Sequence, residues 1–97
     1  MPTHEQVARF MAEYACLTPA QRRDFRRAVV LFREGLRTGT FHPSLRVKGF
    51  WSEDGVFEMR WAKDGRALWQ YGDPLPGRAR PHVVWLRIGT HDIYKSR

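Results

Sequence analysis

A sequence of 97 residues accommodates one compact domain with a small core. At 42% hydrophobic and 28% charged it is not composed like a disordered chain, and no apolar run reaches the ~18 residues of a membrane span. Seventeen Lys and Arg oppose ten Asp and Glu for a net charge of +7, and fourteen of those cations are Arg, the side chain suited to bidentate phosphate contact and to stacking on bases.

This balance favours a polyanionic partner, the alternative being the background basicity of an Arg-rich genome. Four Trp, six Phe and three Tyr supply large apolar areas to a core of limited size. The single cysteine, Cys16, has no disulfide partner and no companions for a structural zinc site; it lies in a helical apolar pattern and is expected to pack there. The first residues lack the basic-then-apolar layout of a signal peptide, so the chain is read as cytoplasmic.

Thr3-His4-Glu5-Gln6 has the form of a capping box, and Val7, Phe10, Met11, Tyr14 and Leu17 follow at helical spacing. These predict a first helix over about residues 4–16. Thr18-Pro19-Ala20-Gln21 repeats the signature with Pro at the first helical position. Phe25, Val29, Phe32 and Leu36 form the stripe of a second helix ending near Arg37, with Gly39 as its left-handed cap. The short link predicts a helical hairpin. Arg22, Arg26, Arg33 and Arg37 share a flank of the second helix, either as a solvated face or as a phosphate track or dock for an acidic partner.

From about residue 41 the pattern turns to strands. Leu45-Arg46-Val47-Lys48 alternates, and Val56–Ala62 and Arg66–Tyr71 are rich in aromatic and branched residues. Lys63-Asp64-Gly65 suits a three-residue hairpin loop with Gly65 in the left-handed position. That loop sets Ala62 opposite Arg66, Met59 opposite Trp69 and Phe57 opposite Tyr71. Phe57, Met59, Trp61, Ala67, Trp69 and Tyr71 then share the face that packs under the helices, and Glu58, Arg60, Ala62, Arg66, Leu68 and Gln70 share the other. The Pro- and Gly-rich residues 72–81 form a loop, and His82–Gly89 is a last, centrally placed strand.

Arg60 and Arg66 fall on adjacent strands of the polar face. Two such guanidinium groups repel each other unless an anion lies between them, either Glu58 or a phosphate. After the last strand, His91, Tyr94 and Lys95 follow closely on Arg87. Histidine trades protons near neutrality, and tyrosine donates hydrogen bonds or stacks on bases. Taken alone, His91 reads as an ordinary surface histidine, but the cations of the same sheet raise its interest. His4, His42, His82 and His91 are scattered and lack ligand spacing, so neither a metal nor another cofactor is expected. No Gly-rich phosphate loop, serine elbow or paired catalytic carboxylates can be read.

Three segments together resemble the RelE/ParE superfamily of type II toxin–antitoxin toxins. Gly55-Val56-Phe57-Glu58-Met59-Arg60-Trp61, then Gly65-Arg66-Ala67-Leu68, looks like a segment of HigB- and RelE-type toxins. Ile88-Gly89-Thr90-His91-Asp92-Ile93-Tyr94 resembles the ending of HigB toxins, and Leu45-Arg46-Val47-Lys48-Gly49 looks like the basic strand before them. The resemblance covers about residues 45–95 of a single 1–97 domain. It implies an α+β fold: an N-terminal two-helix hairpin packed on one face of a twisted antiparallel sheet. Many members open with a β-strand, whereas this chain is read as opening on a helix.

The resemblance further implies a metal-independent endoribonuclease (an mRNA interferase) that cleaves RNA through its own 2′-OH, usually on the ribosome, under restraint by a cognate antitoxin. In that reading Arg60 and Arg66 hold the scissile phosphate and Lys48 adds charge. His91 is the acid or base and Tyr94 orients the nucleotide. Arg46, Arg87 and Lys95 add RNA contacts. A ParE-like inhibitor of DNA gyrase, or a non-catalytic RNA-binding module of the same fold, are the alternatives.

Overall fold

A computed structural model of the chain describes residues 3–73, 76–77 and 81–94. Strand β1 (Thr3–Gln6) leads into helices α1 (Ala8–Ala15) and α2 (Pro19–Thr38). A 3-10 turn (Pro43–Leu45) follows, then strands β2 (Lys48–Gly49), β3 (Val56–Arg60), β4 (Gly65–Gly72) and β5 (His82–Thr90). A second 3-10 turn, His91–Tyr94, comes after β5. The sheet order is β1-β5-β4-β3-β2, with β1 parallel to β5 and every other pair antiparallel. No described helix is long and apolar enough to cross a membrane.

The opening residues correct two expectations. Thr3–Gln6 is an edge strand rather than a first helical turn, and it makes the sheet mixed rather than antiparallel. Tertiary partners explain the change. Glu5 lies opposite Val84 and its carboxylate meets the buried His82 Nε2 at 3.0 Å, while the Val7 amide donates to the Trp85 carbonyl at 3.2 Å. Pairing with β5 thus holds these residues extended, and α1 starts at Ala8 with no side-chain cap. Helix α1 also stops at Ala15, so Cys16 is an exposed C-cap rather than a packed residue.

Helix α2 follows its sequence signals closely. Thr18 Oγ1 accepts from the Gln21 amide at 3.1 Å and Gln21 Oε1 accepts from the Thr18 amide at 2.9 Å. Gly39 closes the helix at φ 86°, where a side chain would be strained. Its buried face presents Phe25, Ala28 and Phe32 to the core, and Gly35 gives close room to Phe41. There Phe25 meets Trp85 edge-on with centroids 5.4 Å apart, and Phe32 meets Trp69 at 4.9 Å. Phe10, Leu17, Leu45, Met59, Trp61, Ala67, Val83 and Ile88 complete this core.

The β3–β4 hairpin keeps the expected faces within its strands but not the expected partners, and Ala62, expected on the polar face, packs beyond the end of β3 against the helix-side core. Arg60 pairs with Arg66, Met59 with Ala67 and Phe57 with Trp69, two residues from the predicted register. A slip of two preserves every side chain's face. Its cause is Trp61, which leaves the strand and lies over Gly65: a Cβ there would come within 2.4 Å of the indole. The Trp61 Nε1–H donates to the Arg66 carbonyl at 3.0 Å. Gly65 is therefore needed for this close approach and does not take the left-handed conformation expected of it. Tyr71, expected in the core, is half-exposed at its edge. Between Leu68 and Trp69 the pairing with β5 jumps from Arg87 to Trp85. This bulge lets Trp85 and Ile88 both enter the core while Arg87 stands opposite Leu68.

Candidate functional site

The sheet face away from the helices carries a second, smaller apolar cluster. Val56, Leu68 and Ile93 are buried there, with Phe50, Leu86 and Tyr94 packed against them. Ile93 reaches the sheet because Gly89 has no side chain; a Cβ on Gly89 would lie 2.5 Å from Ile93 Cγ2. The His91 amide donates to the Asp64 carbonyl at 2.9 Å, tying the last turn to the β3–β4 loop. These two fastenings fold the segment after β5 back over the polar side of the hairpin.

The fold brings together Lys48, Glu58, Arg60, Arg66, His91 and Tyr94. Lys48 lies opposite Glu58 across β2 and β3, with its Nζ 3.7 Å from Glu58 Oε1. Glu58 is only 8% exposed, and its other oxygen accepts a short hydrogen bond from the Tyr94 hydroxyl. Arg66 is as buried, and its Nη1 donates to the carbonyls of Lys63 and Gly65 at 3.2 and 3.0 Å. The His91 ring stands edge-on to Tyr94 with centroids 5.4 Å apart. Burial, then the hydrogen bond and charge of Glu58, push the Tyr94 hydroxyl well above the usual tyrosine range, against the opposing pull of Arg66 and Arg60. Tyr94 is therefore a hydrogen-bond donor rather than a base.

Glu58 does not bridge the two arginines, although the sequence offered it for that place. Among the described residues neither Arg60 nor Arg66 is ion-paired to a carboxylate. Three cations thus surround one carboxylate, which is itself engaged by Tyr94 and Lys48. Such a surplus of positive charge on a partly buried surface attracts an anion with several oxygens. Among the described residues no three His, Cys, Asp or Glu side chains converge as a metal site.

Other predicted contact residues go elsewhere. Arg46 is not on a strand: Pro43 starts a 3-10 turn capped by His42 Nδ1, and Arg46 ends it, exposed, at φ 46°. The paired part of the expected basic strand is only Lys48–Gly49. Arg87 grips Glu13 of α1 through Nε at 3.2 and 3.1 Å and Nη2 at 2.5 Å, and Nη1 donates to the Ile93 carbonyl at 3.0 Å. Lys95 lies outside the described residues. On α2, Arg22 donates to the carbonyls of Tyr14 and Ala15, Arg26 to the Tyr14 hydroxyl and Arg37 to Glu34. Three of the four flank arginines therefore have partners within the chain.

Two residues carry more than their sequence positions suggested. Glu58 is the anchor of Tyr94, and its signal was a carboxylate in mid-strand between inward-facing Phe57 and Met59. Glu13 is the partner of Arg87 and also accepts from the Ile88 amide at 3.2 Å. No local pattern marks a contact that spans more than 70 residues.

No protein-family model matches the sequence, and no curated protein matches it either. Solved structures do. A chain of the Escherichia coli DinJ–YafQ complex is similar over 96% of this chain and 97% of its own, at TM-score 0.67 and 16% identity. The YoeB/ParE toxin from Agrobacterium tumefaciens is similar over 92% and 98%, at 0.65 and 13%. A chain of the RelB–RelE antitoxin–toxin complex from Methanococcus jannaschii is similar over 93% and 94%, at 0.59 and 12%. Each of these chains is matched along nearly its whole length, so the two helices and the five-stranded mixed sheet described above are the RelE/ParE-like toxin fold.

Proposed function

We propose that the protein is the toxin of a toxin–antitoxin pair, a cytoplasmic RelE/HigB-like endoribonuclease that cleaves mRNA without a metal ion, on the ribosome. The observation that carries this reading is the convergence of Lys48, Arg60, Arg66, His91 and the Glu58–Tyr94 pair on the open side of the sheet. The neighbours' occurrence in DinJ–YafQ and RelB–RelE complexes supports an antitoxin partner.

In this reaction the substrate's 2′-oxygen attacks the adjacent phosphorus while its proton passes to a base. The bond from phosphorus to the 5′-oxygen breaks, and that oxygen takes a proton from an acid. The products are a 2′,3′-cyclic phosphate and a free 5′-hydroxyl. Arg60, Arg66 and Lys48 stabilise the charge that builds on the phosphorane. His91 performs one of the two proton transfers. Tyr94, whose hydroxyl proton is engaged by Glu58, orients the nucleotide or stacks on its base. Arg87, held by Glu13, supports the fold of this site.

The test is mRNA cleavage with and without ribosomes, each arm with and without EDTA, beside a gyrase supercoiling assay. Cleavage with cyclic-phosphate ends is expected, and His91→Gln should slow it about 10²-fold, the usual loss for one proton-transfer group. Full activity in His91→Gln removes that residue from the mechanism. Inhibition of supercoiling without cleavage replaces this reading with the gyrase one.

A further inference from the structure

The loop between β2 and β3 presents an aromatic surface that the proposed phosphate site does not use. Trp51 is 78% exposed, whereas Trp61, Trp69 and Trp85 are buried. Its ring lies 5.8 Å from Phe50, and Phe50 stacks on Tyr94 at 5.5 Å with an interplanar angle of 25°. The three rings thus run as a connected series from the solvent edge to the Glu58–Tyr94 pair. They border a cleft of about 370 Å³, also lined by Arg9, Ser52, Glu53, Leu68, Arg87 and Ile93.

The loop is held in shape. The Phe50 amide donates to the Val56 carbonyl at 2.7 Å, and the Glu53 amide to the Phe50 carbonyl at 3.3 Å. Exposing a full indole forgoes the stabilisation of burial, and this one stands on an ordered turn beside a cationic cluster. A flat aromatic surface next to a polyanion site matches single-stranded nucleic acid, whose bases stack on aromatic rings while its phosphates meet cations.

We propose that Phe50 and Trp51 form a nucleobase subsite that takes a base next to the scissile phosphate in the chain of a single-stranded RNA. The inference rests on the reading of Lys48, Arg60 and Arg66 as the phosphate site. The subsite adds affinity through stacking and fixes which phosphate lies over the cations. Because the loop is short and ordered, it selects by stacking strength more than by base identity.

The test uses the full chain and a fluorescently labelled, 2′-O-methyl oligoribonucleotide that cannot be cleaved. Binding is followed by anisotropy, and access to Trp51, the one open indole of the four, by collisional quenching of tryptophan emission. Trp51→Ala should weaken binding about ten-fold, and Trp51→Phe should restore most of it. An abasic nucleotide at one position of the oligomer should cost the wild type as much and cost Trp51→Ala nothing further. Arg60→Ala should weaken binding and lower the salt dependence, whereas Trp51→Ala should leave the salt dependence unchanged. Wild-type affinity in Trp51→Ala, with Arg60→Ala still impaired, overturns the subsite alone and leaves the indole to a protein partner. No binding by the wild type, or full binding by Arg60→Ala, removes the phosphate site and the subsite with it.

Discussion

The two faces of the sheet are made by the same strands and hold together differently. Toward the helices, Phe25 meets Trp85, Phe32 meets Trp69 and Phe57 stacks on Trp69, with Met59 buried in the same core. On the other side, Val56, Leu68 and Ile93 make a small apolar floor, and Glu58, Arg60 and Arg66 fill the space around it. Adjacent residues of β3 therefore serve opposite ends: Phe57 and Met59 stabilise, Glu58 and Arg60 arrange charge. The difference teaches that parity along a strand separates changes that unfold this protein from changes that disarm it.

The largest expected effect breaks the helix-side face. Trp69 is fully buried, stacked on Phe57 at 4.8 Å and edge-on to Phe32. Trp69→Ala should cost roughly 3–5 kcal/mol, a large part of a small domain's stability. Its Nε1 is buried without a hydrogen-bond partner among the described residues, so Trp69→Phe gives up area but no hydrogen bond and should cost clearly less. Thermal and urea unfolding measure both. An unchanged melting temperature in Trp69→Ala would contradict the assignment of the faces.

A middle-sized effect concerns Arg87 and Glu13, which fasten α1 to β5. Both side chains are partly buried, at 13% and 21% exposure. Among the described residues Arg87→Ala leaves Glu13 with only the Ile88 amide, so about 1.5–3 kcal/mol should be lost, the range for hydrogen bonds to charged groups. The pair Arg87→Met with Glu13→Leu should recover much of that loss, because it leaves no uncompensated charge. RNA binding by the folded double variant should stay near wild type. A fall in RNA affinity with unchanged melting would return Arg87 to the contact surface.

Much of this was legible in the sequence because it is local or periodic. The Thr18–Gln21 capping box, the Gly39 cap and the two faces of the hairpin strands follow from short-range patterns, whereas β5, read as central, is second in the sheet and is kept from its edge by β1. What misled was local chemistry overridden at a distance. Thr3–Gln6 carries a helix-start pattern, but β5 supplies its partners from 79 residues away, as in Thr3 opposite His82. The three-residue loop is a sound turn by itself, yet Trp61 needs the space above Gly65 and lengthens the connection. In the site, the cations and Tyr94 were marked by residue type and strand parity. Arg87 was marked by type as well, but its salt bridge with Glu13 depends on how α1 packs, which no window of sequence contains.

The smallest expected effect sharpens the polar face through pH. The folded Tyr94 hydroxyl is raised above the ordinary tyrosine value by burial first and by Glu58 next. Below about pH 10, the unfolded value, Tyr94 is protonated in both states and its contribution to stability is complete. As pH rises beyond that, the unfolded chain releases this proton before the folded one does, so unfolding is favoured and the contribution declines. Tyr94→Phe has no such proton. The difference in stability between wild type and Tyr94→Phe should therefore be constant through neutral pH and shrink between about pH 10 and pH 11. Taking the difference cancels Tyr71, which burial also raises and which both proteins retain. A gap that stays constant over that range would mean that Tyr94 titrates as in the unfolded chain, and the Glu58–Tyr94 pair would lose its place as the anchor of the last turn.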